Sequence, residues 1–208
     1  MLAFLLVFFL SVSIQSEVQP DRWRTLIINE ATPDSAIKKL GAPTKDSTDR
    51  LRVFDVESKW ITEKQKEKVY RRLEFKVEGM KRAVLTFADD KLVMIELEPE
   101  KEIQASALRG IYGVEFAPRF SGWAVAASPR DYERHEGKLY PKNYPSVYSA
   151  VAVTDQVFVG ALVNNASFGA AMRGSLGVPD TSTMPGKVAR IQIVSRKLEN
   201  KDGAEALK

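Results

Sequence analysis

His135 is the one side chain in this sequence whose unperturbed charge changes near neutral pH. It lies in Asp131-Tyr132-Glu133-Arg134-His135-Glu136. On a helix, Asp131 would sit four residues before it and could orient the ring. Ser128 or Ser121 would then complete a hydrolytic triad, so a small hydrolase centred on His135 is one reading of the chain. No Gly-x-Ser-x-Gly elbow marks either serine as a nucleophile. A solvated helix with its basic residues near the C-terminal end accounts for the same residues through the helix dipole. Catalysis is therefore assigned no residue beyond the His135–Asp131 candidate.

Composition removes other chemistries. The 208 residues include one His and no Cys. Disulfides, thiol nucleophiles, thiolate zinc sites and multi-histidine metal centres are all excluded within one chain. No glycine-rich phosphate loop or dinucleotide fingerprint occurs, so no cofactor is implied. Asp89-Asp90 reads as a tight turn rather than a catalytic acid pair. Glu96, Glu98 and Glu100 would line one strand face, as a solvated edge or as oxygen ligands for a hard cation. Lys64, Lys66, Lys68, Arg71, Arg72, Lys76, Lys81 and Arg82 form a basic run, but Glu63, Glu67, Glu74 and Glu78 interleave with it. Their charges cancel most of the field, and nucleic acid is not expected as a partner.

The segment 112–148 carries eight of the 19 aromatic residues. Tyr112, Phe120, Trp123, Tyr132, Tyr140 and Tyr144 alternate there with Arg119 and Arg130, among other basic residues. Tyr, Trp and Arg give large contact areas with polar tips, the composition of binding hot spots. Those eight residues are the candidate partner-binding set. Ordinary core aromatics joined by loops are the alternative.

Elements must hold these groups in place. Charge falls from 18 basic and 18 acidic residues over 17–104 to 13 and 9 over 105–208. This shift sets a boundary near Lys101. In the first half, Thr32-Pro33-Asp34-Ser35 opens a short helix that Gly41 and Pro43 close. A polar loop follows at 44–50, then a strand at 51–54 and a charged helix near 62–68. Period-two alternation gives strands at 72–78, 82–88 and 91–98, an antiparallel meander. The second half begins with a helix at 102–112. Ser128-Pro129 would cap another at 129–136. Val147–Val153 and Val157–Val163 read as a hairpin, Ser167 caps a further helix, and Val188–Ser195 is the last strand. The expected fold is α+β, two helix-plus-antiparallel-sheet units in tandem at 17–101 and 102–198, with a charged tail at 199–208.

The pattern from Thr32 to Pro43, a capped helix ending Leu-Gly-Ala-Pro, precedes a meander containing Phe87-Ala88-Asp89-Asp90-Lys91-Leu92-Val93. It resembles the small outer-membrane lipoprotein assembly family (SmpA/OmlA) and the tandem β-lactamase-inhibitor-like fold, mainly over residues 26–98. The resemblance implies an exported, non-enzymatic protein that docks other proteins. This chain lacks the lipidated Cys of the lipoproteins and the disulfides of the inhibitors.

Leu2–Leu10 is an unbroken apolar run, about half of what spans a bilayer and the length of a signal-peptide core. Small residues follow at Ser11, Ser13 and Ser16. A signal peptide over 1–16 is expected, with export to a periplasm or the exterior and no stable membrane anchor after cleavage. The partner would be another protein or an envelope polymer, and a structural envelope role without a ligand is the remaining alternative. Intact-mass measurement of exported protein should give a mature chain beginning at Ile14 or Glu17. Exported material retaining residues 1–13 would refute processing.

Overall fold

The computed structural model describes residues 19–53, 61–119, 132–135, 138–141, 147–164 and 186–199. Two short strands, β1 (Arg22–Trp23) and β2 (Leu26–Ile27), lead into α1 (Pro33–Leu40). Thr32 and Ser35 form a reciprocal capping box, the Ser35 N–H donating to Thr32 Oγ1 at 3.2 Å and the Thr32 N–H to Ser35 Oγ at 2.8 Å. Gly41 takes φ 88° after the last turn, a value that favours glycine.

Next come β3 (Lys45–Arg50), α2 (Glu63–Glu67), β4 (Val69–Val77), β5 (Met80–Ala88) and β6 (Lys91–Pro99). Asp89 and Asp90, at φ 48° and 57°, join β5 to β6. Positive φ at both central residues suits the right-handed twist of a two-residue hairpin. The chain continues through β7 (Ile103–Gln104), a 3₁₀ turn (Ala105–Ala107), α3 (Leu108–Tyr112) and β8 (Ala117–Arg119). Then follow β9 (Tyr132–His135), β10 (Lys138–Pro141), β11 (Val147–Val153), β12 (Val157–Asn164) and β13 (Lys187–Ser195).

Nine of these strands make one antiparallel sheet in the order β3-β4-β5-β6-β13-β12-β11-β8, with β7 also paired to β13. This overturns the expected α+β arrangement of two tandem units. The last strand, β13, returns to lie beside β6 and joins both halves of the sequence, and the helices beside the sheet are short. Leu73, Leu85, Ile95, Ile193, Val159 and Ala152 stand opposite one another in successive strands, a continuous buried row across six of them. Trp23, Leu26, Ile28, Ala36, Leu108, Tyr112 and Phe116 belong to the same core.

Local expectations need correction too. Residues 45–50 are strand β3 rather than loop, and 51–53 form no strand. Every β3 side chain is polar, so no apolar alternation marks it. The helix expected at 102–112 is divided among β7, the 3₁₀ turn and α3. In place of the helix at 129–136 stands β9, paired with β10. The helix expected after Ser167 lies outside the described residues. No helix among the described residues is long and apolar enough to cross a membrane.

Because β6 and β13 tie the halves together, urea unfolding should follow one transition by fluorescence and by circular dichroism. Ile95→Ala, in the middle of the shared row, should cost about 2–5 kcal/mol. Two separated transitions, or a loss well under that range, would contradict the shared core.

Candidate functional site

The expected partner-binding residues are divided by the fold. Tyr112 is 2% exposed and meets Phe116 edge-on at 5.8 Å between ring centroids. Burial pushes its phenol well above the usual range. It is a core residue and offers no contact surface. Arg119 ends β8, opposite Ser149 of β11. Phe120, Trp123, Arg130, Asp131 and Tyr144 lie outside the described residues. Tyr132 and His135 are in β9 and Tyr140 is in β10, with Tyr132 opposite Pro141, Glu133 opposite Tyr140 and His135 opposite Lys138. His135 lies in a strand, whereas the Asp131–His135 reading assumed a helix there.

A second group of polar residues emerges on the sheet face opposite the main core. Glu74, Val84, Glu96 and Gln192 stand opposite one another across β4, β5, β6 and β13. Arg82 is the hub. Its Nε donates to Glu74 Oε2 at 3.1 Å, and its Nη1 lies 3.2 Å from Glu96 Oε1 and 3.4 Å from Glu98 Oε1. Arg190 Nη2 reaches the same Glu98 oxygen at 3.2 Å. Glu96 is 4% exposed and accepts a 2.7 Å hydrogen bond from Gln192 Nε2, which also donates to the Arg52 carbonyl at 3.1 Å. A buried carboxylate is tolerable only with such partners. The guanidinium groups neutralise Glu96 and Glu98, which the sequence had left open as cation ligands. No cluster of three or more metal-binding side chains occurs among the described residues. The alternate charged residues of β4 and β6 were visible in the sequence, but their lateral pairing with Arg82 of β5 and Arg190 of β13 was not.

At the β3 side of this face, Asp49 Oδ2 accepts from Arg52 at 3.0 Å and from Arg72 at 3.2 Å. The Arg50 N–H donates to Asp49 Oδ1 at 2.8 Å. That backbone donor, with the charges of Arg52 and Arg72, holds the Asp49 carboxyl below the usual carboxylate range. A recess of about 120 Å³ opens here, lined by Lys45, Ser47, Asp49, Arg72, Glu74 and Arg82, among others. On the outer β3–β4 pair, Arg71 makes a double contact with Asp46, at 3.2 and 2.8 Å, and likewise lowers its pKa.

The larger recess, about 510 Å³, is an open groove where the segment 28–30, the β11–β12 turn and the chain after β13 meet. Its frame is tightly held. Asn29 sits at φ 68°, its N–H donating to the Leu92 carbonyl at 2.7 Å and its Oδ1 accepting from Ser195 Oγ at 2.6 Å. Arg196 grips Glu199 through two nitrogens at 2.9 and 3.2 Å, donates to the Thr154 carbonyl at 2.9 Å and lies over the Phe158 ring. Glu30, Asp155 and Lys197 line its rim with mixed charge. The groove can accept a polar ligand, but no nucleophile–base pair converges on it among the described residues.

Comparison with family models, with curated proteins and with solved structures finds no match.

Asp46 and Asp49 have depressed pKa values in the folded chain. Their contribution is therefore complete above the ordinary value of 3.8 and disappears as pH falls through the lower folded values. Urea midpoints should decline below about pH 4. The double substitution Asp46→Asn, Asp49→Asn should flatten that decline, and about 1 M salt should shrink the difference. An unchanged acid slope would contradict the assignment.

Proposed function

We propose that the chain is an exported binding module that acts by surface contact rather than catalysis, through the segment between Arg119 and Tyr144. The observation carrying this reading is the β9–β10 ribbon. It forms a sheet of its own, separate from the nine-stranded sheet. Its two four-residue strands contain Tyr132, Arg134, His135, Lys138 and Tyr140. Among the described residues, neither of its strands pairs with the nine-stranded sheet. Aromatic and basic side chains at such a position suit recognition of another protein, or of an envelope polymer. Export by the expected leader would bring the chain to an envelope or extracellular partner rather than to nucleic acid.

The test is capture from envelope extract by the immobilised mature chain and two groups of variants. Tyr140→Ala and Trp123→Ala should each weaken capture of a partner by about tenfold or more, as hot-spot truncations do, while thermal unfolding stays close to that of the parent. His135→Ala should retain capture. A hydrolytic activity abolished by His135→Ala would favour the enzyme reading instead. Equal capture by every variant would remove this segment from the contact.

A further inference from the structure

We propose that the recess over β3, β4 and β5 binds a small tetrahedral oxyanion, with inorganic phosphate as the defining ligand. This inference is independent of the partner-binding reading above. It begins with an unsatisfied donor. Arg72 spends one terminal nitrogen on Asp49, yet its Nε is buried with no acceptor among the described residues. Directly opposite Arg72, Thr86 is fully buried, and its hydroxyl also has no partner among the described residues. Buried polar groups are nearly always paired, so an orphan guanidinium N–H beside a cavity points to an acceptor supplied from outside the chain.

Charge gives the sign of that acceptor. Lys45, Arg52, Arg72, Arg82 and Arg190 face Asp49, Glu74, Glu96 and Glu98, leaving one positive charge in excess. The lining carboxylates already receive guanidinium donors, Asp49 from Arg52 and Arg72 and Glu74 from Arg82. Lys45, Ser47 and Thr48 are the lining donors that make no side-chain hydrogen bond among the described residues, and Lys45 and Ser47 stand opposite Glu74 and Arg72. An oxyanion seated between Lys45, Ser47 and Arg72 would accept charge-assisted bonds from the ammonium and the guanidinium, plus one from the Ser47 hydroxyl. Size limits the ligand. At about 120 Å³ the recess is well below the roughly 300–1,000 Å³ of sites for drug-sized ligands, which suits a single phosphoryl group better than a nucleotide.

The experiment is calorimetric titration of the full mature chain with inorganic phosphate, ionic strength held constant with chloride. Saturable binding at one site is expected. Lys45→Ala and Ser47→Ala, both on the solvated edge strand, should each weaken it by about tenfold, with unfolding midpoints in phosphate-free buffer unchanged. A parallel titration with glycerol phosphate separates two sources. Binding of inorganic phosphate alone identifies the free ion, and equal binding identifies a phosphoryl group on a larger molecule; either result supports the site. Heat that never saturates, or equal affinity in both variants and the parent, would mean an adventitious ion only and would overturn the proposal.

Discussion

The pairing of β6 with β13 is the constraint on which the remaining architecture depends. Leu97, Glu96, Ile95 and Met94 stand opposite Ile191, Gln192, Ile193 and Val194. About a hundred residues separate the two strands in sequence, so closing this contact carries a loop-entropy cost that local hairpins avoid. Burial on both faces offsets it. Ile95 and Ile193 complete the apolar row of the main core, while Met94 and Val194 join Tyr70, Val151 and Phe158 in a second cluster on the opposite face. A shift of one residue in this register would place Glu96 and Gln192 in the main core and expose the isoleucines. The seam therefore specifies its own alignment.

The same seam explains why the second face is mixed rather than wet. Toward one end, Leu51, Ile61 and Leu198 join the apolar cluster with Tyr70 and Phe158. Toward the other, Arg82 gathers three glutamates, and burial, which opposes its charge, is outweighed by the bond to Glu74 and the nearby Glu96 and Glu98 carboxylates. A two-sided sheet needs cover on both faces, and here arginine stems and ion pairs supply part of it. Such a network is directional, unlike an apolar cluster, so it fixes the lateral order of strands as well as which face is buried.

Much of this was legible one strand at a time. The capping residue Thr32, the Asp89-Asp90 turn, the alternation in β4, β5 and β6 and the apolar runs of β11, β12 and β13 all carry their structural cause within a few neighbours. Strand neighbours do not. Alternation says which face a residue takes and nothing about who stands beside it, so the separation into two units followed the charge shift at Lys101 and missed the return of β13. The strand Lys45–Arg50 was invisible because a solvated edge has no apolar face. Ribbon replaced helix at Tyr132–His135 because cross-strand pairing with Lys138–Pro141 overrides a weak local helix preference. At the candidate site, Tyr112 was an expected contact residue but is core, while Arg82 and Arg190 gained meaning only once their strands lay side by side.

The two outermost strands differ from everything between them. Strand β3 presents Lys45, Asp46, Asp49 and Arg50 along its length, and β8 is three residues long with Pro118 at its centre. Charges and an imino acid at those positions discourage a neighbouring molecule from extending the hydrogen-bond ladder. The interior strands are rich in valine, isoleucine and leucine, the composition from which fibrils grow when an open margin recruits further chains. Among the described residues, protection of this broad sheet against edge-to-edge pairing thus rests on residues outside its interior.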